Sequence, residues 1–173
     1  MKEQQQLPKV RLRAMEPEDI EYLYYMENDT SIWNVGVTNV PYSRYLLAEY
    51  IKSSSGDIYT DKQVRLMVEN ESGKLIGMVD LVNFSPAHLR AELGIVIQEA
   101  YRRQGYATAV LREIIAYGKK VVRLHQIYAI VPATNEKCVR MLEQVGFQKS
   151  MELKDWLQEG KSYLPAYLLQ IFL

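Results

Sequence analysis

Between Ala91 and Pro132 the chain runs as apolar strand, basic glycine-bearing turn, amphipathic helix and second apolar strand: "AELGIVI", "QEAYRRQ", "GYATAVLREIIAYG" and "LHQIYAIVP". A helix linking two strands of one sheet is a crossover, and a crossover sets the second strand parallel to the first. The residues upstream demand the opposite. "QVRLMVEN", "ESGK" and "LIGMVDLVNF" read as strand, tight turn and strand, and "LRAELGIVI" follows after a turn around Ser85 and Pro86, an antiparallel meander. A fold that satisfies both is α/β, with a mixed, mostly antiparallel sheet carrying a parallel pair and flanked by helices.

The remaining elements complete that frame. "VRLRAM" alternates as a first strand. "EPEDIEYLYYMEN" opens with Pro17 and acidic residues suited to a helix start, with Ile20, Leu23 and Tyr24 on one face. "PYSRYLLAEYIKS" predicts a second helix burying Leu46, Leu47, Tyr50 and Ile51. A helix from Asn135 to Val145 stops at Gly146, and "FQKSMELKDWL", "QEGK" and "SYLPAYLLQIFL" form a terminal hairpin. Residues 1–9 are expected to be a flexible tail and 10–173 one domain, with no repeat or linker.

Composition narrows the function. Lys plus Arg and Asp plus Glu both total 21, which disfavours broad nucleic-acid binding. One cysteine, Cys138, and two histidines, His88 and His125, are too few for thiolate zinc or a His-rich metal site, so no metal is expected. His125, without a close carboxylate or cysteine partner in sequence, reads as structural. "MKEQQQLPKV" is polar, unlike a signal peptide, and no apolar run nears the roughly 20 residues that cross a bilayer. The expectation is a cytoplasmic protein with neither membrane nor nucleic-acid partner.

The basic turn has its own logic. A helix start presents N–H groups without intrahelical acceptors, and the helix dipole favours an anion there. Gly105 removes a Cβ and Ala107 keeps the next turn slim, so the amides of Arg103, Gln104, Gly105, Tyr106, Ala107 and Thr108 can converge on a diphosphate. Arg102 or Arg103 can add a charged hydrogen bond. On the turn alone, a plain strand–helix junction with solvated arginines explains the residues equally well. A dinucleotide-binding unit fits worse, since it needs a further glycine and a parallel surround.

The run Arg102-Arg103-Gln104-Gly105-Tyr106-Ala107 resembles the acyl-CoA pyrophosphate loop of the GNAT acetyltransferase superfamily: Arg or Gln, two residues, Gly, one residue, Gly or Ala. Downstream "NEKCVRMLEQVGF" is similar to that family's second signature, and the order of elements matches from residue 10 to 173. Within the superfamily the chain looks closest to the branch of spermidine and ribosomal-protein N-terminal acetyltransferases. The resemblance implies a GNAT-like fold in which the two parallel strands splay apart mid-sheet. It also implies acetyl-CoA as co-substrate, its diphosphate on the Gly105 loop and its pantetheine arm on the backbone of Ile95, Val96 and Ile97. Asn135 would contact the cofactor or cap its own helix.

Acetyl transfer to an amine needs a base, because an alkyl ammonium with a pKa of about 10 has no lone pair. Glu92 matches an acidic position that serves as base in several branches, against the plainer reading of a surface ion pair; Asp80 is the second choice. The tyrosine that assists the leaving thiolate in many members is replaced here by Leu142. Cys138, one turn earlier, reads as packing, and Tyr106 and Tyr128 are the other hydroxyls nearby. Lys119, Lys120 and Arg123 read as a solvated helix end.

The resemblance places the acceptor among Trp33, Asn34, Tyr42 and Tyr45 and the hairpin residues Asp155, Trp156 and Tyr163. "TSIWNVGVTNVPYSRY", between the first two helices, contains no Asp or Glu, which argues against a polyamine regulatory site there. Polyamines, peptide N-termini, amino sugars and other small amines all stay open as acceptors, and a homo-oligomer is compatible with the sequence. The expected activity is N-acetyl transfer from acetyl-CoA directly to a primary amine of a small molecule or peptide. The alternative is a non-catalytic acyl-CoA-binding module of the same fold.

Overall fold

The computed structural model of the chain describes residues 6–30 and 40–173. In chain order the strands are β1 (Val10–Arg13), β2 (Val64–Asn70), β3 (Leu75–Ser85), β4 (Arg90–Ile97), β5 (Gln126–Pro132), β6 (Gln148–Glu159) and β7 (Ser162–Phe172). The helices are α1 (Ile20–Glu27), α2 (Arg44–Ser53), α3 (Ile58–Asp61), α4 (Tyr106–Tyr117) and α5 (Glu136–Gln144). The seven strands form one sheet in the order β1-β2-β3-β4-β5-β7-β6, every pair antiparallel except β4–β5. The mixed sheet expected from the crossover is therefore the sheet observed.

Alternation along the strands makes two unlike faces. Val68, Val79, Leu81, Leu93, Ile127 and Leu169 point to one side, where Val110, Leu111 and Ile114 of α4 and Val139 and Leu142 of α5 complete a continuous apolar core. On the other side Met67, Met78 and Val96 pack with Leu23 and Met26 of α1 and Leu47 of α2 in a smaller core rich in methionine. The α2 stripe differs from the expectation at one position. Leu46 is 53% exposed, whereas Leu47 is 3% exposed. Ser43 caps the helix by accepting from the Leu46 N–H at 3.1 Å, which fixes its rotation with Leu47 toward the sheet.

Two local features were not expected. The short helix α3 is capped by Asp57, which accepts from the Tyr59 N–H at 3.1 Å, and it ends at Lys62 in the left-handed region (φ 58°). The start of α1 is preceded by a 3₁₀ turn, Pro17–Asp19, in which Asp19 is 6% exposed rather than solvated. Its carboxylate accepts from Arg13 at 2.7 and 2.8 Å and from the Glu16 N–H at 2.8 Å. The Arg13 guanidinium, more than any other neighbour, holds the Asp19 carboxyl below the usual carboxylate range.

Candidate active site

β4 and β5 pair at three rungs, Arg90–Gln126, Ala91–Ile127 and Glu92–Tyr128, and then part. Beyond them β4 stays on β3 as far as Ile97–Gly77, while β5 stays on β7 as far as Pro132–Ala166. Among the described residues no strand fills the gap, so the β5-facing backbone of β4 from Leu93 to Ile97 lacks a ladder partner. Ile95, Val96 and Ile97 all lie on that stretch. The Ile97 carbonyl accepts a hydrogen bond from Arg102 Nε at 2.8 Å.

Glu92 stands on the last closed rung, at the apex of the gap. It is half-buried, with Asn83 Nδ2 donating to its Oε2 at 2.8 Å. Tyr128 faces it across the rung, its phenol pushed up first by burial and then by the Glu92 carboxylate. Five residues separate Glu92 from the end of β4, roughly 16 Å of strand edge leading to the basic turn.

At that turn α4 begins at Tyr106 with Gly105 as its N-cap, in the left-handed region (φ 86°) and without a side-chain cap. The first helical bond runs from the Ala109 N–H to the Gly105 carbonyl at 3.0 Å, so the N–H groups of Tyr106, Ala107 and Thr108 precede any intrahelical acceptor. Arg103 also has positive φ (61°) and is exposed. This geometry fits an anionic group of the carrier. The side chains divide differently from a simple charged cradle. Arg102 turns back on Ile97, and Gln104 Nε2 donates to the Ala100 carbonyl at 2.8 Å, so both brace the loop itself. Tyr106 is directed away from the chemistry, its hydroxyl donating to Glu71 Oε2 at 2.9 Å. A Cβ on Gly105 would lie 3.1 Å from Pro8 Cδ and 3.3 Å from Leu7 Cδ2, so residues of the N-terminal segment pack against the loop. A cavity of about 600 Å³ lies between this loop and the end of α1, lined by Tyr25, Asp29, Gln98, Glu99 and Arg102 among others.

Asn135 caps α5, its Oδ1 accepting from the Cys138 N–H at 3.3 Å. Leu142 is 1% exposed, a core residue with no access to solvent or ligand. Cys138 is half-buried, and burial pushes its thiol up, away from thiolate character.

The sheet face below α1 and α2 carries charges that the sequence reading did not anticipate as a group. Arg65 of β2 donates to Asp80 through Nε at 2.8 Å and Nη2 at 2.7 Å, and its Nη1 pairs with Glu27 at the end of α1. The Tyr50 ring lies 5.7 Å from the guanidinium. Asp80, the second choice as base, is therefore committed to a bidentate ion pair. Arg65 and Asp80 sit directly opposite on β2 and β3, a register that no short motif announces. Of the expected acceptor wall, Trp33 and Asn34 lie outside the described residues. Tyr42 is held by Asn28, whose Oδ1 accepts from the Tyr42 N–H at 2.8 Å. Tyr45 is 72% exposed, and Trp156 and Tyr163 are 53% and 57% exposed on the hairpin. Asp155, also on the hairpin, has positive φ (49°). Among the described residues no cluster of three His, Cys, Asp or Glu could hold a metal, and no helix is long and apolar enough to cross a membrane.

Residues 9–148 match the family model of the acetyltransferase (GNAT) domain. The chain is 31% identical over 163 residues to the spermidine N(1)-acetyltransferase of Escherichia coli K12, covering 94% of this chain and 86% of the relative. The crystal structure of spermidine N-acetyltransferase from Vibrio cholerae in complex with CoA and spermine superposes with a TM-score of 0.82 at 26% identity, over 94% of this chain and 95% of that one. A dodecameric structure of the Vibrio enzyme superposes with a TM-score of 0.79 at 26% identity, over 94% of this chain and 93% of that one. These relatives are enzymes, and nothing in them supports a non-catalytic module. Parted strands, a glycine-capped helix start after them and the family match agree over most of the chain: it belongs to the GNAT acetyltransferase family and is an acetyl-CoA-dependent N-acetyltransferase.

Proposed function

We propose that this enzyme acetylates a primary amine of a polyamine-like polycation, with Glu92 as the base. The observation that carries this reading is the position of Glu92 on the last rung before β4 and β5 part. Acetyl-CoA supplies an activated thioester. The amides at the start of α4 would hold its diphosphate, and the open edge of β4 at Ile95 to Ile97 would align its arm toward Glu92. Glu92 would take the proton from the ammonium, directly or through water. The amine nitrogen then bonds to the acetyl carbon as the carbon–sulfur bond breaks, and the departing thiolate takes a proton from solvent. With Leu142 sealed in the core, no helix hydroxyl is assigned to that last step. Holding amine and thioester together supplies much of the acceleration.

The polycation is supported by the charge of the acceptor-side face as well as by the spermidine-acetylating relatives. Glu27 and Asp80 share the guanidinium of Arg65, and Glu92 lies on the same face with Arg90 two residues before it, so among these groups the carboxylates outnumber the cations. The acids absent between α1 and α2 are thus supplied from the end of α1 and from β3 and β4. Assembly into a homo-oligomer also belongs to this reading, given the dodecameric relative. The test is CoA thiol release from acetyl-CoA across spermidine, spermine, amino sugars and peptide N-termini, each repeated with Glu92→Gln. Polyamine-dependent release lost in Glu92→Gln is the expected result. Release with peptides or amino sugars alone would replace the acceptor class, and full activity in Glu92→Gln would remove the base.

A further inference from the structure

β3 does not reach its end in regular register. Its pairing with β4 shifts between Val82 and Ser85, a bulge opposite Ala91 that begins one residue past the Val82–Glu92 rung. Within the bulge Asn83 adopts φ 51°, the left-handed region that L residues rarely enter, with Asn among the exceptions. The next residue is pinned from the core side. The Phe84 N–H leaves the ladder and donates to the Lys62 carbonyl at 2.9 Å, and the Phe84 ring, 4% exposed, meets Tyr59 edge-on at 5.0 Å between centroids. With Phe84 anchored on one face, the left-handed turn carries the Asn83 amide to the other, where Nδ2 reaches Glu92 Oε2 at 2.8 Å. Strain of this kind persists where the surrounding structure over-determines it, and it clusters at functional sites.

From this geometry we infer that Asn83 is the positioning residue of the base: the bulge exists to hold the Glu92 carboxylate by one oxygen and leave the other for the incoming amine. The inference rests on the reading of Glu92 as the base. Tyr128 stands across the rung on β5, near enough for its phenol to interact with the same carboxylate. A residue at this position needs both tolerance of positive φ and a donor of side-chain amide length, and asparagine combines them.

The experiment is a double-mutant cycle on the full chain, reading kcat and KM for acetyl-CoA with the best amine. Asn83→Gly removes the amide while accepting the backbone angle, so the bulge and the melting temperature are kept. Its kcat falls roughly tenfold or more, the scale of a lost hydrogen bond to a charged group, with KM for acetyl-CoA within about twofold. Asn83→Asp keeps the shape but sets a carboxylate against a carboxylate, and falls below Asn83→Gly. In the Glu92→Gln background Asn83→Gly has no further effect, because the two act through one group. Wild-type kcat in Asn83→Gly, or the same factor lost with and without Glu92, overturns the inference while the base stands. Full activity in Glu92→Gln overturns the base and the inference together.

Discussion

The two faces of the sheet are held together by opposite means. Under α4 and α5 the contacts are apolar, fully buried and continuous, and they fix the strand edge and helix start that would bear the carrier. Under α1 and α2 the apolar patch is small and methionine-rich, and beyond it lie Arg65, Asp80 and Glu92, held by ion pairs and hydrogen bonds. Methionine adapts its shape to neighbours, and charged groups fix orientation more than volume. On the proposed reading the same sheet would offer an invariant carrier a rigid bed and a variable amine an adjustable, polar one.

Five variants test this division. Glu92→Gln acts on the polar side alone: turnover falls about 10²- to 10⁴-fold in thiol-release assays, with the urea midpoint unchanged. Leu111→Ala opens a cavity in the continuous core and costs about 2–5 kcal/mol by urea denaturation, while Leu47→Ala, beside Met26, Met67 and Met78, costs less because its neighbours collapse inward. Equal losses would erase the distinction between the two cores. Asp19→Asn costs about 1–3 kcal/mol at neutral pH, since it weakens the bonds from Arg13. Because Arg13 lowers the folded-state pKa of Asp19, that contribution is present above the unfolded value near 4 and is lost as pH falls through the folded one. The stability gap between wild type and Asp19→Asn therefore narrows in acid, which chemical denaturation at pH 7 and pH 3 measures. Gly105→Ala, at φ 86° and against Pro8, raises KM for acetyl-CoA about tenfold, a difference of about 1.4 kcal/mol, while KM for the amine stays put.

What the sequence made legible follows from how local each signal is. The crossover from Ala91 to Pro132, the Gly105 turn and the Asn135 cap depend on neighbours a few residues away, and pattern alone located them. Leu46 failed because helical spacing allows two adjacent stripes, and the Ser43 cap, not the spacing, chose between them. Arg65, Asp80 and Glu27 are far apart in the chain and meet only through strand register and the docking of α1, so nothing in a linear reading joins them. Arg102 carried the right charge in the right motif, yet its reach to the Ile97 carbonyl depends on how the loop closes. Asn83 gave no signal beyond its residue type, since a bulge is a property of two strands.

The parting of β4 and β5 has a consequence for how long the protein lasts. A sheet broken in its interior has two raw edges where most sheets have none, and exposed edges are where chains associate wrongly. An acyl carrier bound in that breach, as proposed, would serve as a removable strand, withdrawn and replaced at every turnover. At a carrier concentration a hundred times its Kd the folded state gains about 2.7 kcal/mol. Resistance to heat and proteolysis would then rise with the concentration of acetyl-CoA.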